Sequence, residues 1–452
     1  MMSSTGAPVE LGTEKVSKLL MQYSLPAIIA MTASSLYNMV DAIFIGQGVG
    51  PLAISGLAVT FPFMNLSTAF GTLVGVGAST IASMLLGQRN YTMARKVLGN
   101  VVVLNGIIGM LFTVISLIFI DPILYFFGAS ENTLPYAKQY MEIILLANVI
   151  THIYFGLNSL LRSSGHPKMA MAATILTVVL NAILDPLFIF VLNMGIRGAA
   201  IATVIAQCVS LVWLVILFSN KREVIHFGKG VFKLDKRIVK DSFIIGMAPF
   251  LMNFVSCFVV IFINMRLKEF GGDLAIGAYG IVNRIVFVFI MIVMGFTQGM
   301  QPIVGYNYGA RNIPRVFKAL KYTMVNATLV MTFGFFLCEI FPSAVVSLFT
   351  TDPTLSEISV AGLRKIVLAF PLVASSMVIG HFFQSIGKPK RAIFLSLSRQ
   401  LIYLIPCMWI IPGIIGIKGV WYSFPISDML ASITAFILIL QFINHYRKTN
   451  EL

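Results

Sequence analysis

Residues 169–219 read MAMAATILTVVLNAILDPLFIFVLNMGIRGAAIATVIAQCVSLVWLVILFS, and this stretch indicates the architecture of the whole chain. Two apolar runs, 169–192 and 198–219, flank a Gly-Ile-Arg-Gly turn at 195–198. Each run is long enough to cross the hydrocarbon core of a bilayer as a helix, which takes about 20 residues. The stretch therefore predicts two membrane-spanning helices joined by a tight turn.

Apolar runs of this kind recur along nearly the whole chain. Of the 452 residues, 58% are hydrophobic and 11% are charged, whereas soluble domains carry about 25% charged residues. Twelve spans are predicted, at 19–45, 52–78, 97–120, 138–160, 169–192, 198–219, 243–267, 276–302, 319–341, 362–384, 392–413 and 419–443. Residues 1–15 are polar and the first run is too long for a signal peptide, so no cleaved signal is predicted. The predicted fold class is an all-α integral membrane protein.

The basic residues predict how the chain is oriented in the membrane. Lys and Arg collect in alternate loops, as in Arg89, Arg95 and Lys96 after the second span and Arg311 and Arg315 after the eighth. Such loops face the cytoplasm. We therefore predict a multi-pass protein of the cell (inner) membrane with both termini cytoplasmic. The net charge of +15 is explained by this placement, so no nucleic-acid partner is predicted.

The chain also repeats itself at an offset of about 222 residues. The motif Gly-x-Arg-Asn at 87–90 recurs at 309–312. Three further pairs match, namely 50–54 with 272–276, 164–168 with 386–390, and 195–198 with 416–419. Since each repeat holds six predicted helices, both halves run through the membrane in the same direction and form a parallel repeat.

The repeat divides the chain into two six-helix bundles. We predict an N-terminal lobe at 1–220, a cytoplasmic linker at 221–241 and a C-terminal lobe at 242–452. The linker is interpreted as a solvated connector, and a regulatory or anionic-lipid role is the alternative.

Two carboxyl groups lie inside predicted spans of the first half. Asp41 is near the outer end of the first span, and Asp185 comes sixteen residues after Met169, about 24 Å along its helix. Asn181 lies one turn from Asp185 on the same helix face, and Thr203 reaches a similar depth on the next helix. The sequence therefore predicts that Asp41, Asn181, Asp185 and Thr203 meet at one level.

Ionisable groups inside a membrane are energetically costly and are usually functional. Oxygen ligands suit a hard cation such as Na+, and a carboxyl group removed from water can carry a transported proton. The repeat places Ile263 opposite Asp41 and Cys407 opposite Asp185, so the acids are not a shared scaffold feature. We predict one cation-coupling site for Na+ or H+, without a resident metal or cofactor. Two separate structural carboxyl groups are the alternative.

Five further residues are predicted to line a substrate cavity: Tyr37, Asn38, His152, Arg284 and Asp428. Tyr37 and Asn38 share the helix face of Asp41. Arg284 and Asp428 lie at comparable depths in the second half, so a structural ion pair between them is an alternative to a substrate or coupling role. For His152 the alternatives are a structural role and a proton relay.

These motifs together resemble the multidrug and toxic compound extrusion (MATE) transporters. The similarity covers essentially the whole chain. It rests on the twelve helices in two lobes, the helix that carries Asp41, the repeated motif at 87–90 and 309–312, and the segments 181–186 and 198–203. The chain is most similar to the prokaryotic branch that keeps its coupling acids in the N-terminal lobe.

The resemblance implies V-shaped lobes around a central cleft and a cation-coupled antiporter that exports cationic, amphipathic drugs. By position, Asp41, Asn181, Asp185 and Thr203 match the cation-binding residues of that branch. A monomer is expected. Another branch places essential acids on helices 7, 8 and 10, whereas the interiors of helices 7 and 10 carry none here.

The predicted mechanism is alternating access. A cation from outside neutralises the acidic pair, the first helix shifts near Pro26, and the substrate is released outward. The alternative function is a flippase for lipid-linked saccharides, which would favour a strongly basic cavity, yet only Arg284 and Arg399 lie inside predicted spans. No nucleotide-binding or metalloprotease motif is present, so an enzyme is not predicted.

Overall fold

The computed structural model describes residues 8–350 and 352–448, except for the side chains of residues 37–39, 42, 46, 51, 273 and 447. Within these ranges the chain is helical and forms no β-strand. Eleven helices are long and apolar enough to cross a membrane, and two shorter helices that meet at 57° form a twelfth span. The prediction of an all-α membrane protein with twelve spans is confirmed.

We label the spans α1 (Val16–Gly48), α2 (Pro51–Gly87), α3 (Tyr91–Ile118), α4 (Leu134–Leu146 with Asn148–Ser163), α5 (Pro167–Val191), α6 (Gly195–Phe218), α7 (Lys236–Gly272), α8 (Leu274–Gly309), α9 (Ile313–Ile340), α10 (Pro353–Ser385), α11 (Pro389–Ile415) and α12 (Ile417–Lys448).

The matched sequence pairs of the repeat coincide with turns whose backbone is left-handed. Arg89 and Arg311 have φ angles of 59° and 57°. The other three pairs place glycines at positive φ, at 50 and 272, 165 and 387, and 195 and 416. Few residue types adopt this conformation readily, so the turns restrict their sequence. The apolar helix interiors are under no such restriction, which explains why the repeat is visible mainly at the turns.

Two helices continue seven or more residues beyond their predicted ends. α2 ends at Gly87 and α8 at Gly309, whereas the predicted spans end at 78 and 302. The 37 residues of α2 extend about 55 Å, well beyond the ~30 Å of a hydrocarbon core. The prediction ended each span where the apolar run weakens. A helix continues until the backbone leaves the helical region, which here happens just before Arg89 and Arg311.

Contacts divide the chain into two compact units, and each unit includes a segment from the other half of the sequence. Among the described residues, unit 1 contains 8–13 and Ile29–Phe250, and unit 2 contains Glu14–Ile28 and the residues from Leu251 to Lys448. The cuts after Ile28 and after Phe250 are related by the same offset of 222 residues, so the exchange follows the repeat. The first part of α1 thus belongs to unit 2 and the first part of α7 to unit 1. The lobe boundaries derived from sequence stay a prediction.

Glycines allow these exchanged segments to pack closely. In unit 1, a Cβ added at Gly246 of α7 would lie 1.7 Å from the carbonyl oxygen of Leu73 on α2. In unit 2, a Cβ at Gly299 of α8 would lie 2.6 Å from the backbone nitrogen of Ser24 on α1. The repeat relates position 24 to position 246, and position 299 to Gly77 of α2, where an added Cβ would lie 2.0 Å from the carbonyl oxygen of Ser242 on α7. Both units therefore use the same kind of helix crossing.

The segment between α6 and α7 is anchored to α3. The fully buried Asn100 donates from Nδ2 to the carbonyl of Lys233 at 3.2 Å and accepts at Oδ1 from the amide of Asp235 at 2.9 Å. The Nε of Arg95 donates to the carbonyl of Val224 at 3.2 Å. The linker is therefore held by α3 rather than surrounded by solvent along its length.

We expect Asn100→Ala to release this linker. The substitution removes two hydrogen bonds to the linker, each worth about 1 kcal/mol, and leaves a backbone amide and a carbonyl without partners. Trypsin should then cleave after Lys229 or Lys233 several-fold faster than in the parent protein. Asn326→Ala is the matched control, because the Nδ2 of Asn326 donates within its own helix, to the carbonyl of Tyr322 at 2.8 Å. Equal cleavage rates in the two variants would contradict the anchoring role.

Candidate cation-coupling site

Two carboxyl groups of unit 1 meet inside its helices. Asp41 of α1 is 5% exposed and Asp185 of α5 is fully buried. The two side chains are close enough to share a hydrogen bond. An ionised carboxylate only accepts hydrogen bonds, so a bond between two carboxyl groups requires a proton on one of them. The geometry therefore brings two acids together in a place where both cannot stay ionised without a neutralising cation.

Asn181 and Thr203 complete the cluster. The Nδ2 of Asn181 lies 3.2 Å from Oδ1 of Asp185 and 3.2 Å from Oγ1 of Thr203. Asn181 and Asp185 face the same way because they are one helical turn apart on α5. Thr203 lies on α6, which packs directly against α5. The structure thus brings together all four residues that the sequence singled out.

The cluster has more acceptors than donors. Oδ1 of Asp41, Oδ2 of Asp185 and Oδ1 of Asn181 are buried, and within the described part of the chain none of them accepts a hydrogen bond from an N–H or hydroxyl group. Buried acceptors normally have such a donor, so three of them without one in the same place need an explanation. Oxygen-only ligands with negative charge fit Na+, and the same carboxyl oxygens can take up protons. These oxygen atoms are therefore suited to bind either Na+ or a proton.

The end of α5 is irregular directly beside the site. Pro186 follows Asp185, and residues Leu187–Val191 form a widened π-helical turn. Proline has no N–H to donate, so the regular hydrogen-bond ladder cannot continue through it. Widened turns of this kind are frequent at functional sites.

A polar network that the sequence analysis did not identify continues from the acids along α5. Thr177, one turn from Asn181, donates to Oγ of Ser210 at 2.7 Å. The hydroxyl of Tyr154 on α4 lies 3.4 Å from Oγ1 of Thr177. The sequence feature that points to this network is the four-residue spacing of Thr177, Asn181 and Asp185, which places all three on one face of α5.

The predicted substrate-cavity residues of the first half are only partly described. The side chains of Tyr37 and Asn38 lie outside the described residues. His152 is fully buried, and its Nε2 lies 3.3 Å from Oγ of Ser67, which in turn donates to Oδ1 of Asn148 at 2.6 Å. These contacts place His152 in a polar cluster between α2 and α4. Its role in a substrate cavity stays a prediction.

The proposed pair between Arg284 and Asp428 is not formed. Asp428 of α12 instead accepts a hydrogen bond at Oδ1 from Nε of Arg399 on α11, at 2.6 Å. Arg284 of α8 is exposed. The prediction failed because it compared depths along helices, whereas the pairing depends on which helices are neighbours: α11 and α12 pack against each other. A substrate role for Arg284 or Asp428 stays a prediction.

The fold and this buried cluster together define the class of protein. Twelve spans in a parallel repeat, with a polar cluster inside one unit, are features of a membrane transporter. The MatE family model matches residues 26–187 and 245–409, which is most of the chain. The chain therefore belongs to the MatE family, as the sequence motifs had indicated, and it is a transporter and not an enzyme.

Relatives and solved structures agree with this assignment. The multidrug export protein MepA of Staphylococcus haemolyticus is 28% identical over 94% of this chain and 93% of that protein. A MATE transporter in a bent conformation is 26% identical, with a TM-score of 0.94 over 99% of this chain and all of the other. An outward-facing multidrug resistance MATE transporter of the MOP superfamily is 25% identical, with a TM-score of 0.92 over 99% of this chain and all of the other.

Proposed function

We propose that this protein is an antiporter that exports cationic amphipathic compounds in exchange for Na+ or H+. The single observation that supports it best is the acceptor-rich cluster around Asp41 and Asp185, which needs a cation to neutralise it. Export of drug-like compounds is in keeping with the name of the relative MepA, a multidrug export protein. The exported compounds are small molecules, and the protein acts as a monomer in the cell membrane with both termini in the cytoplasm.

The proposed mechanism is alternating access. A cation that enters from outside binds at Asp41 and Asp185, and the state with bound cation releases the substrate outward. Coupling requires only that the cation and the substrate favour different states of the protein by a few kcal/mol. The first part of α1, with Pro26, belongs to unit 2, and the part with Asp41 belongs to unit 1. A change at Asp41 therefore acts on a helix that both units share.

The test uses the purified protein in proteoliposomes and rhodamine 123, a fluorescent amphipathic cation. A Na+ gradient and a pH gradient are imposed separately. We expect one of them to drive rhodamine 123 against its own gradient, and the effective gradient identifies the coupling ion. Absence of transport under both gradients, in vesicles whose protein elutes as a folded monomer, would contradict the proposed function.

A further inference from the structure

The ion pair between Arg399 and Asp428 is well inside the membrane-spanning part of unit 2. Arg399 comes ten residues after the start of α11 and Asp428 eleven residues after the start of α12, which places both about 15 Å from the nearer helix end. Binding sites of secondary transporters lie at such depths. Arg399 also lies in a widened π-helical segment, Ser398–Leu404, like the one that follows Asp185 in unit 1.

The pair leaves hydrogen-bonding capacity unused on both partners. Among the described residues, the hydrogen bond from Nε of Arg399 to Oδ1 of Asp428 is the one side-chain bond that either makes. The two terminal nitrogens of Arg399 and the Oδ2 of Asp428 thus have no partner there. About a third of the Arg399 side chain (34%) is exposed, whereas that of Asp428 is 8% exposed. A guanidinium group binds carboxylates best through two parallel N–H donors, and those of Arg399 are available.

The surroundings of the pair are polar on one side and aromatic on the other. Gln400, next to Arg399, donates from Nε2 to Oγ of Ser256 on α7 at 2.7 Å, and its Oε1 is buried without a partner among the side chains that the structure describes. Tyr279 of α8 lies within electrostatic reach of Arg399 and stacks on Phe424, with ring centroids 5.6 Å apart. Phe424 is one turn from Asp428 on α12, so its ring and the carboxylate share a helix face.

The first half of the sequence lacks this charge pair. The offset of 222 residues relates Arg399 to Thr177, and the offset of 221 that holds from 195–198 and 416–419 onward relates Asp428 to Gln207. Both equivalents in unit 1 are neutral, since Thr177 donates a hydrogen bond to Ser210 and Gln207 accepts one from Thr151. The scaffold therefore does not need the two charges. Removing two ionic groups from water is costly, and replacing such a pair with apolar residues is often neutral or stabilising. Retention of the charges points to a role in binding.

We propose that Arg399 and Asp428 form a second binding site, in unit 2, for zwitterionic amphipathic compounds. The terminal nitrogens of Arg399 bind the carboxylate of the ligand, and Asp428 binds its positively charged nitrogen. Tyr279 and Phe424 contact the apolar part. The inference rests on the proposed function and assigns to unit 2 a binding site for compounds that carry both charges.

Two dyes that differ in one group test this site. Rhodamine 110 carries a cationic ring system and a free carboxylate, and rhodamine 123 is its methyl ester. Binding of each dye to the full chain in lipid nanodiscs is measured by fluorescence anisotropy. Arg399→Gln should weaken binding of rhodamine 110 by about tenfold or more, through loss of the charge-assisted bonds, and leave rhodamine 123 within about twofold. Arg364→Gln is the matched control, since Arg364 forms an exposed ion pair with Glu339 at 3.8 Å.

Arg399→Gln leaves the Asp428 carboxylate buried without its partner, which can destabilise the protein. A second variant therefore separates loss of the binding site from loss of folded protein. The double variant Arg399→Gln/Asp428→Asn removes both charges and should show the same selective loss of rhodamine 110. If the double variant lost affinity for both dyes equally, or bound rhodamine 110 as tightly as the parent protein, the proposed second site would be wrong. Wild-type protein that binds rhodamine 123 but not rhodamine 110 would also overturn it and would leave the proposed function standing. Failure of the proposed function appears separately, as absence of gradient-driven rhodamine 123 transport.

Discussion

Asp41→Asn should abolish gradient-driven export of rhodamine 123 while the protein remains folded. The amide has the shape of the carboxyl group, so packing around this 5% exposed side chain is preserved. It carries no charge and takes up no proton, so the cation loses one of its two anionic ligands. We expect at least a tenfold drop in the initial rate of transport, which corresponds to about 1.4 kcal/mol. The measurement is dye flux in proteoliposomes under whichever gradient drives the parent protein.

Asp121→Asn is the matched control for this experiment. Asp121 also lies in unit 1, but its side chain is 45% exposed and pairs with Lys138 at 2.9 Å. Exposed ion pairs contribute about 0–1 kcal/mol, so this variant should transport at close to the parental rate. Full transport by Asp41→Asn would contradict the coupling role of the acid cluster. Equal losses in both variants would mean that the effect is not specific to the site.

The acid cluster was predictable from the sequence because charge inside an apolar run is a strong signal. Asp41 and Asp185 are conspicuous among residues that can enter a membrane, and helical spacing alone places Asn181 beside Asp185. The repeat then added a depth scale, since equivalent turns mark the ends of equivalent helices. These three arguments need no knowledge of which helices are neighbours, and that is why they succeeded.

The partner of Asp428 was not predictable by the same reasoning. Both Arg284 and Arg399 lie inside spans of the second half, and depth estimates are good only to about a helical turn. The choice between them depends on which helices pack together and on how each is rotated about its axis. The exchange of the first parts of α1 and α7 was missed for the same reason. It depends on contacts between helices that are far apart in sequence.

The close helix crossings at glycine lead to the prediction with the largest expected effect on stability. Gly246→Ala places a methyl group 1.7 Å from the backbone oxygen of Leu73, where no side chain can move aside. α2 and α7 must then separate along this crossing. Overpacking of a core usually costs about 1–3 kcal/mol, and we expect the upper end of that range or more because the obstacle is backbone. Thermal unfolding in detergent, followed by size-exclusion fluorescence, should show a midpoint several degrees lower or little folded protein.

Gly299→Ala tests the corresponding helix crossing in unit 2, from the α8 side of the contact. Its Cβ would lie 2.6 Å from the backbone nitrogen of Ser24 and still closer to the Ser24 hydroxyl, which can rotate. We therefore expect destabilisation in the same direction but smaller than for Gly246→Ala. The matched control is Gly106→Ala on α3, where an added Cβ has no atom within 4 Å. In an open helical position, alanine is favoured over glycine by up to about 1 kcal/mol, so this variant should be unchanged or slightly more stable. If Gly246→Ala and Gly106→Ala unfolded at the same temperature, close packing of α7 on α2 would not be what holds the exchanged segment in unit 1.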